Sequence, residues 1–297
     1  MNRVIVTGAS GLLGRAIHKI FEADPEWEVT GLAKNRAHGG LVCHDLMDAD
    51  ATCDLLHEER PAVVIHSAAT RKPDLCEGQP EYTRALNVTA TSTLCEAACS
   101  IGAWLLYIST EYVFDGSSPP YFPDDPPHPL NAYGKSKLAG EEATLEEDSG
   151  NAILRVPILY GEVEVLEESA VTVIARTLLD SRPNKLDHWA VRHPTLVDDV
   201  GEACLALARV CLTSKRSCSG RWHFSGGEAM TKYDMAMAMA QAVGLDASHL
   251  QPDDCPPTGV PRPRDCSLDC SRLDKLVRLR RTPFAKNIGA FLKPHLP

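Results

Sequence analysis

Arg3-Val-Ile-Val-Thr7, then Gly8-Ala-Ser-Gly11-Leu-Leu-Gly14, then an apolar-periodic segment from Leu12 to Phe21, is the stretch on which the fold turns. The β-branched run reads as a strand, the glycines as a tight turn, and the periodic segment as a helix. Glycine permits both the turn and close approach of a ligand to the backbone. The free N–H groups and positive dipole end of the following helix suit a pyrophosphate. The spacing is Gly-x-x-Gly-x-x-Gly rather than the Gly-x-Gly-x-x-Gly of the dinucleotide fingerprint, so the flanking strand and helix carry the assignment, against a plain glycine-rich turn. Gly8, Ser10, Gly11, Leu12, Leu13 and Gly14 are the candidate phosphate-side contacts.

The next strand, Trp27 to Leu32, ends in Ala33-Lys34-Asn35-Arg36. An acidic side chain about twenty residues past the glycines holds the ribose 2′-hydroxyl of NAD, whereas a cation there suits the 2′-phosphate of NADP. Here the acid is missing and two cations stand in its place, which favours NADP, although solvated loop charges would read the same way. Asp45, after the apolar Leu41-Val42-Cys43, falls at the end of a third strand, where it would accept from the adenine amino group.

Beyond this point strand and helix patterns alternate without internal repeats. Helices are expected over Asp48 to Glu59, Tyr82 to Ile101, Asn131 to Glu147, Ser169 to Leu179, Val197 to Cys211 and Lys232 to Val243. Strands are expected over Ala62 to His66, Trp104 to Ser109, Ala152 to Val156 and Trp222 to Phe224. Such alternation predicts an α/β fold, a Rossmann-type doubly wound parallel sheet covered on both faces. The length divides into a nucleotide-binding domain over 1–165 and a smaller α/β lobe over 166–297, for binding a substrate or partner. Ligands of such sheets bind at the carboxyl ends of the strands, which brings Gly8, Asp45, His66 to Ala69, Ser109-Thr110 and Arg155 to Pro157 to one edge.

Tyr133-Gly-Lys-Ser-Lys137 places a phenol and an ammonium four residues apart on one helix face. A tyrosine titrates near pH 10, and a neighbouring cation stabilises its phenolate, so the pair would form a general acid for a carbonyl oxygen that receives a hydride at carbon. Alone, the spacing also fits a solvated helix face.

The formal charge, 30 − 40 = −10, argues against a nucleic-acid or anionic-membrane surface. The 11 cysteines contain no Cys-x-x-Cys pair and read as reduced thiols of a cytoplasmic or nuclear protein. With a strand starting at Arg3 and no long apolar run, neither a signal peptide nor a membrane span is expected. No metal site is expected, since His188 and His193, which flank an expected strand, lack further ligands at suitable spacing. Met230, Met235, Met237 and Met239 have the helical spacing of packing residues. The proline-rich 119–129 and 252–263 read as stiff loops, the first bordering a cleft. The tail beyond is expected to bury Leu273, Phe284, Ile288 and Phe291 with the second lobe.

Thr7 to Gly14, Asn87 in Leu-Asn-Val, Ser109-Thr110-Glu-Tyr-Val-Phe-Asp-Gly116 and Tyr133 to Lys137 together resemble the extended short-chain dehydrogenase/reductases, and among them the dTDP-4-dehydrorhamnose reductases. That resemblance implies a triad of Thr110, Tyr133 and Lys137, with Thr110 on the substrate carbonyl, Tyr133 as proton donor, and Lys137 on the nicotinamide ribose, lowering the tyrosine pKa. A likeness that runs nearly end to end lies with the regulatory beta subunits of methionine adenosyltransferase. It is carried by Ile158 to Glu162, Leu166 to Thr172, Asp187 to Trp189, Arg192 to Thr195, Met230 to Tyr233, Leu268 to Ser271 and Arg281 to Phe284. It implies an NADP-binding protein without established turnover that binds the catalytic subunit and tunes S-adenosylmethionine synthesis. The implied NADP contacts are Ser10 to Leu13, Ala33 to Asn35, Asp45, Leu46, Ser67, Arg71, Tyr133 and Leu159. The alternative is an NADPH-dependent reductase of a 4-keto-6-deoxy nucleotide sugar. Both ends are shorter than the resemblance leads one to expect, and Glu111 replaces the usual Asp, a change expected to leave the Thr110 hydroxyl untouched.

Overall fold

The computed structural model describes residues 1–180 and 182–296, without the side chains of 215 and 216. Among them, the strands are β1 (Asn2–Thr7), β2 (Trp27–Ala33), β3 (Val42–Cys43), β4 (Val63–His66), β5 (Trp104–Thr110), β6 (Ala152–Val156), β7 (Leu159–Tyr160), β8 (Asn184–Asp187), β9 (Thr195–Leu196), β10 (Gly220–His223) and β11 (Leu250–Asp253). Seven of them form one sheet in the order β10-β6-β5-β4-β1-β2-β3. Every pairing in it is parallel. The chain winds outward from β1 in both directions, and this reversal opens a crevice at the carboxyl ends of β1 and β4.

Side-chain alternation explains the two covered faces. Val4, Val6, Val63, Ile65, Leu106 and Leu154 point into a core shared with Ile17 and Phe21 of the Leu12–Glu22 helix and with Val200, Ala203 and Leu207 of the Val197–Thr213 helix. Ile5, Val64, Leu105 and Ile153 point the other way, onto Leu56, Leu94, Ala97 and Ala98 of the Ala49–Glu59 and Ala90–Ser100 helices. A third core joins Tyr160, Val171, Ile174, Met235, Met239, Phe284 and Ile288. Met237 of the same methionine series is exposed.

Several expectations are corrected. The Tyr82 to Ile101 helix is interrupted by a π-helical turn over Ala85–Thr89. The Ser169 to Leu179 helix is reduced to one 3₁₀ turn, Thr172–Ile174, and the short helix Ala175–Leu179, because the Ser169 hydroxyl donates to Leu159 O (2.6 Å) and accepts from Val171 N (2.9 Å). Competition of this kind between a serine hydroxyl and the backbone disfavours a regular helix. Between His188 and His193 only the isolated bridges at Val191 and Arg192 form. Leu273 packs with the core of the large sheet, not with the lobe's.

Candidate functional site: a dinucleotide cleft

The glycine turn is built for close approach. Gly8 has φ +69°, and a Cβ on it would meet the backbone of Ala68 at 2.9 Å; a Cβ on Gly14 would lie 2.1 Å from Gly8 O. Gly11 caps the following helix, and its N–H donates to Gly8 O at 2.9 Å. Only glycines let the first turn of the helix sit against the end of β1.

The helix that carries Tyr133 is held equally closely to β5. Asn131 caps it by accepting from Gly134 N at 2.9 Å. A Cβ on Gly134 would meet Tyr112 O at 2.2 Å, and one on Gly140 would meet Tyr107 Oη at 2.3 Å. Asn87, in the π turn, accepts from Thr70 N (2.7 Å) and donates to Thr70 O (2.9 Å) and to Ser136 Oγ (3.0 Å). It thereby ties the loop after β4 to the Tyr133 helix.

A cleft of about 700 Å³ runs along the carboxyl ends of the strands. Its walls bring together the cofactor and triad candidates: the glycine turn with Ser10, Leu12 and Leu13, the Ala33 to Arg36 segment, Asp45, Leu46, Ser67, Arg71, Leu159, and Thr110, Tyr133 and Lys137. His66 and Arg155, expected at the same edge, do not line it: both are fully buried, His66 between Thr7 and Thr91 and Arg155 against Glu141. Tyr112, Arg192, Lys232, Arg262 and Glu168 line it as well. Tyr112, Glu168, Arg192 and Lys232 lie in stretches that carry the family resemblance, but the sequence assigned none of them a place in the cleft.

The charges are arranged unevenly. Lys137 is buried, its Nζ 3.9 Å from the centroid of the Tyr107 ring, and burial lowers its pKa to about 7 against the opposing pull of Glu141. Burial pushes the Tyr133 phenol upward, with Thr110 opposing. The cation expected to hold that phenol down is therefore itself drawn toward its neutral form. Glu111 is buried, and desolvation raises its carboxyl to about 7 despite Arg192. Its Oε2 accepts from Thr110 Oγ at 3.0 Å, so the Thr110 hydroxyl is not untouched by this residue.

Near the glycine turn, Arg15 and Arg36 both donate to Glu168, each with one contact of 2.6 Å, and both donate to Ser10 O. Burial alone would raise the Glu168 carboxyl, but these hydrogen bonds hold it at about 2. Arg71 donates to the Glu168 carbonyl. Lys34 pairs with Asp45 at 2.8 Å.

The family model described as the RmlD substrate binding domain matches residues 1–296. The chain is also 48% identical over 296 residues to methionine adenosyltransferase 2 subunit beta of Pongo abelii, covering 99% of this chain and 88% of that protein. It belongs to the methionine adenosyltransferase 2 beta-subunit family. Among solved structures, a dTDP-4-dehydrorhamnose reductase of Bacillus anthracis in complex with NADP superimposes with a TM-score of 0.83 at 25% identity, covering 99% of both chains. The ortholog from Clostridium acetobutylicum gives the same TM-score at 26% identity, again over 99% of each chain. The beta-subunit family thus shares the reductase-like Rossmann fold.

The cleft fits a dinucleotide on its own terms. A glycine turn that a Cβ on Gly8 or Gly14 would force apart shares the cleft with the buried ammonium of Lys137. Among those residues no group of three or more His, Cys, Asp or Glu could hold a metal ion, and no helix is long and apolar enough to cross a membrane.

Proposed function

We propose that this chain is an NADP-binding regulatory subunit of methionine adenosyltransferase, which binds the catalytic subunit and modulates S-adenosylmethionine synthesis in the cytoplasm or nucleus. The observation that carries the reading is the 48% identity sustained over 296 residues, through the lobe as well as the nucleotide-binding half. A likeness confined to the dinucleotide fold would have stopped short of the lobe. On this reading Ser10 to Leu13 and Ser67 receive the pyrophosphate side of NADP, Lys34, Asn35 and Arg36 the 2′-phosphate, Asp45 and Leu46 the adenine, and Lys137 the nicotinamide ribose; Arg71, Tyr133 and Leu159 complete the contacts. The nicotinamide ring would supply a hydride if a carbonyl were presented. The test is a mixing assay, in which the purified chain should co-elute with a methionine adenosyltransferase catalytic subunit and change its kinetics. Separate elution together with unchanged kinetics would refute it.

A second reading is favoured by Thr110, Tyr133 and Lys137 sharing the cleft with the cations Lys232 and Arg262. It is an NADPH-dependent reductase of a nucleotide-sugar ketone, in which hydride passes to the carbonyl carbon and a proton from Tyr133 to the oxygen. NADPH consumption with dTDP-4-dehydrorhamnose, abolished by Tyr133→Phe, would support it; no consumption by the wild-type chain would exclude it for that substrate.

A further inference from the structure

Cations close to the ribose end of the cleft are matched by acids. Lys34 Nζ lies 2.8 Å from Asp45. Arg36 Nη1 donates to Glu164 Oε2 at 2.9 Å and to Glu168 Oε1 at 2.6 Å, while its Nη2 donates to Ser10 O at 2.8 Å. Arg15 pairs with Glu168 and lies 3.7 Å from Glu164. Three basic side chains thus face three acidic ones. A phosphate arriving here finds little net positive charge, and its hold depends on what a guanidinium can give up.

The two glutamates differ in what ties them. Glu168 has a side-chain exposure of 9%, is gripped by two arginines, accepts from Glu164 N (3.0 Å), and its backbone carbonyl accepts from Arg71. Removing it would take from Arg15 and Arg36 their closest counter-charge, 2.6 Å from each. Glu164 has a side-chain exposure of 45%, and among the described residues its carboxylate touches only Arg36 and Arg15. An exposed pair of this kind is weakly held and open to exchange. Glu168 therefore fixes the arginines in place, and Glu164 is the partner that can give way.

We propose that Glu164 is a specificity-determining residue of the cleft: by neutralising Arg36 it weakens the hold on a 2′-phosphate and so narrows the preference for NADP over NAD. It acts through Arg36 as a positioning residue, and the inference rests on the reading of Arg36 as a 2′-phosphate contact.

The experiment measures NADP and NAD dissociation constants by calorimetry for the full chain, Glu164→Gln, Arg36→Ala and the double variant. Glu164→Gln is expected to bind NADP about two- to five-fold more tightly, the range of a single exposed ion pair, with NAD affinity unchanged and a smaller gain at high salt. In the Arg36→Ala background the gain should vanish. Unchanged or weaker NADP binding by Glu164→Gln, an equal change for both nucleotides, or a gain that survives in the Arg36→Ala background would each overturn the proposal. If Arg36→Ala itself weakens NADP and NAD equally, the 2′-phosphate reading fails, and that result is distinct from a failure of Glu164 alone.

Discussion

The Thr110 hydroxyl donates to Glu111 Oε2 at 3.0 Å, and Thr110 Oγ1 itself accepts from Tyr112 N at 3.2 Å. While Glu111 is ionised, the single hydroxyl hydrogen of Thr110 is committed to it. Arg192, Tyr112, Tyr133 and Cys266 are the titratable or charged groups coupled to this carboxyl.

The Glu111 carboxyl, raised from 4.5 to about 7, makes stability depend on pH. Between those values the folded chain binds more protons at this site than the unfolded chain, so stability falls as pH rises through the window. Across the window the loss is roughly 3 kcal/mol. Glu111→Gln should flatten that slope in urea unfolding followed from pH 5 to 8. An unchanged slope would exclude Glu111 as the titrating group.

Lys137 is shifted in the opposite sense to its ordinary state. Its pKa falls from 10.5 to about 7, so between these values the unfolded chain holds more protons and stability rises with pH. Roughly 2 kcal/mol should be gained between pH 7 and 9, and Lys137→Met should lack this gain. Denaturant midpoints at the two pH values for both proteins decide the matter.

Gly14→Ala tests the glycine cradle. The new methyl would lie 2.1 Å from Gly8 O, so the turn and the helix must separate. Overpacking of this kind costs about 1–3 kcal/mol, and NADP affinity should fall by about tenfold or more as the backbone N–H groups move. Gly78→Ala meets nothing within 4 Å and serves as the control. Equal affinities in the two variants would argue against a phosphate cradle at this turn.

The sheet and the cradle were legible because their signals are local: β-branched runs, glycines at fixed spacing and helical periodicity all act over a few residues. The helix starting beside Asn131, with its Tyr133 and Lys137, was legible for the same reason. The π turn around Asn87 was not, since an interrupted helix keeps nearly the same periodicity. Two- and four-residue strands such as β7 and β8 are too short to show alternation. Glu168 pairs with Arg15 across a separation of 153 residues, and Glu111 with Thr110 only once β5 and its turn orient both side chains. Such contacts follow from the fold and leave no pattern along the chain.

The Glu141–Arg155 pair supports the last prediction. Both side chains are 0% exposed, and Arg155 Nε and Nη2 reach the two carboxylate oxygens at 2.8 and 2.6 Å. Ser109 donates to Glu141 Oε1 at 2.6 Å, Arg155 also donates to Pro123 O, and Arg221 lies 3.5 Å from Glu141. Glu141 sits one turn after Lys137, so the pair fastens the Tyr133 helix to β5 and β6. Glu141→Gln would leave Arg155 buried without its counter-charge and should cost about 3–5 kcal/mol, whereas Glu141→Gln with Arg155→Met should cost less than the first change alone. Because Glu141 also raises the Lys137 pKa, its loss should move the Lys137 titration below about 7. A double-mutant cycle by urea unfolding, with the pH dependence followed for each variant, reads both effects. Additive losses would dismiss the coupling, and a Lys137 window that stays in place would show that the carboxylate does not act on the ammonium.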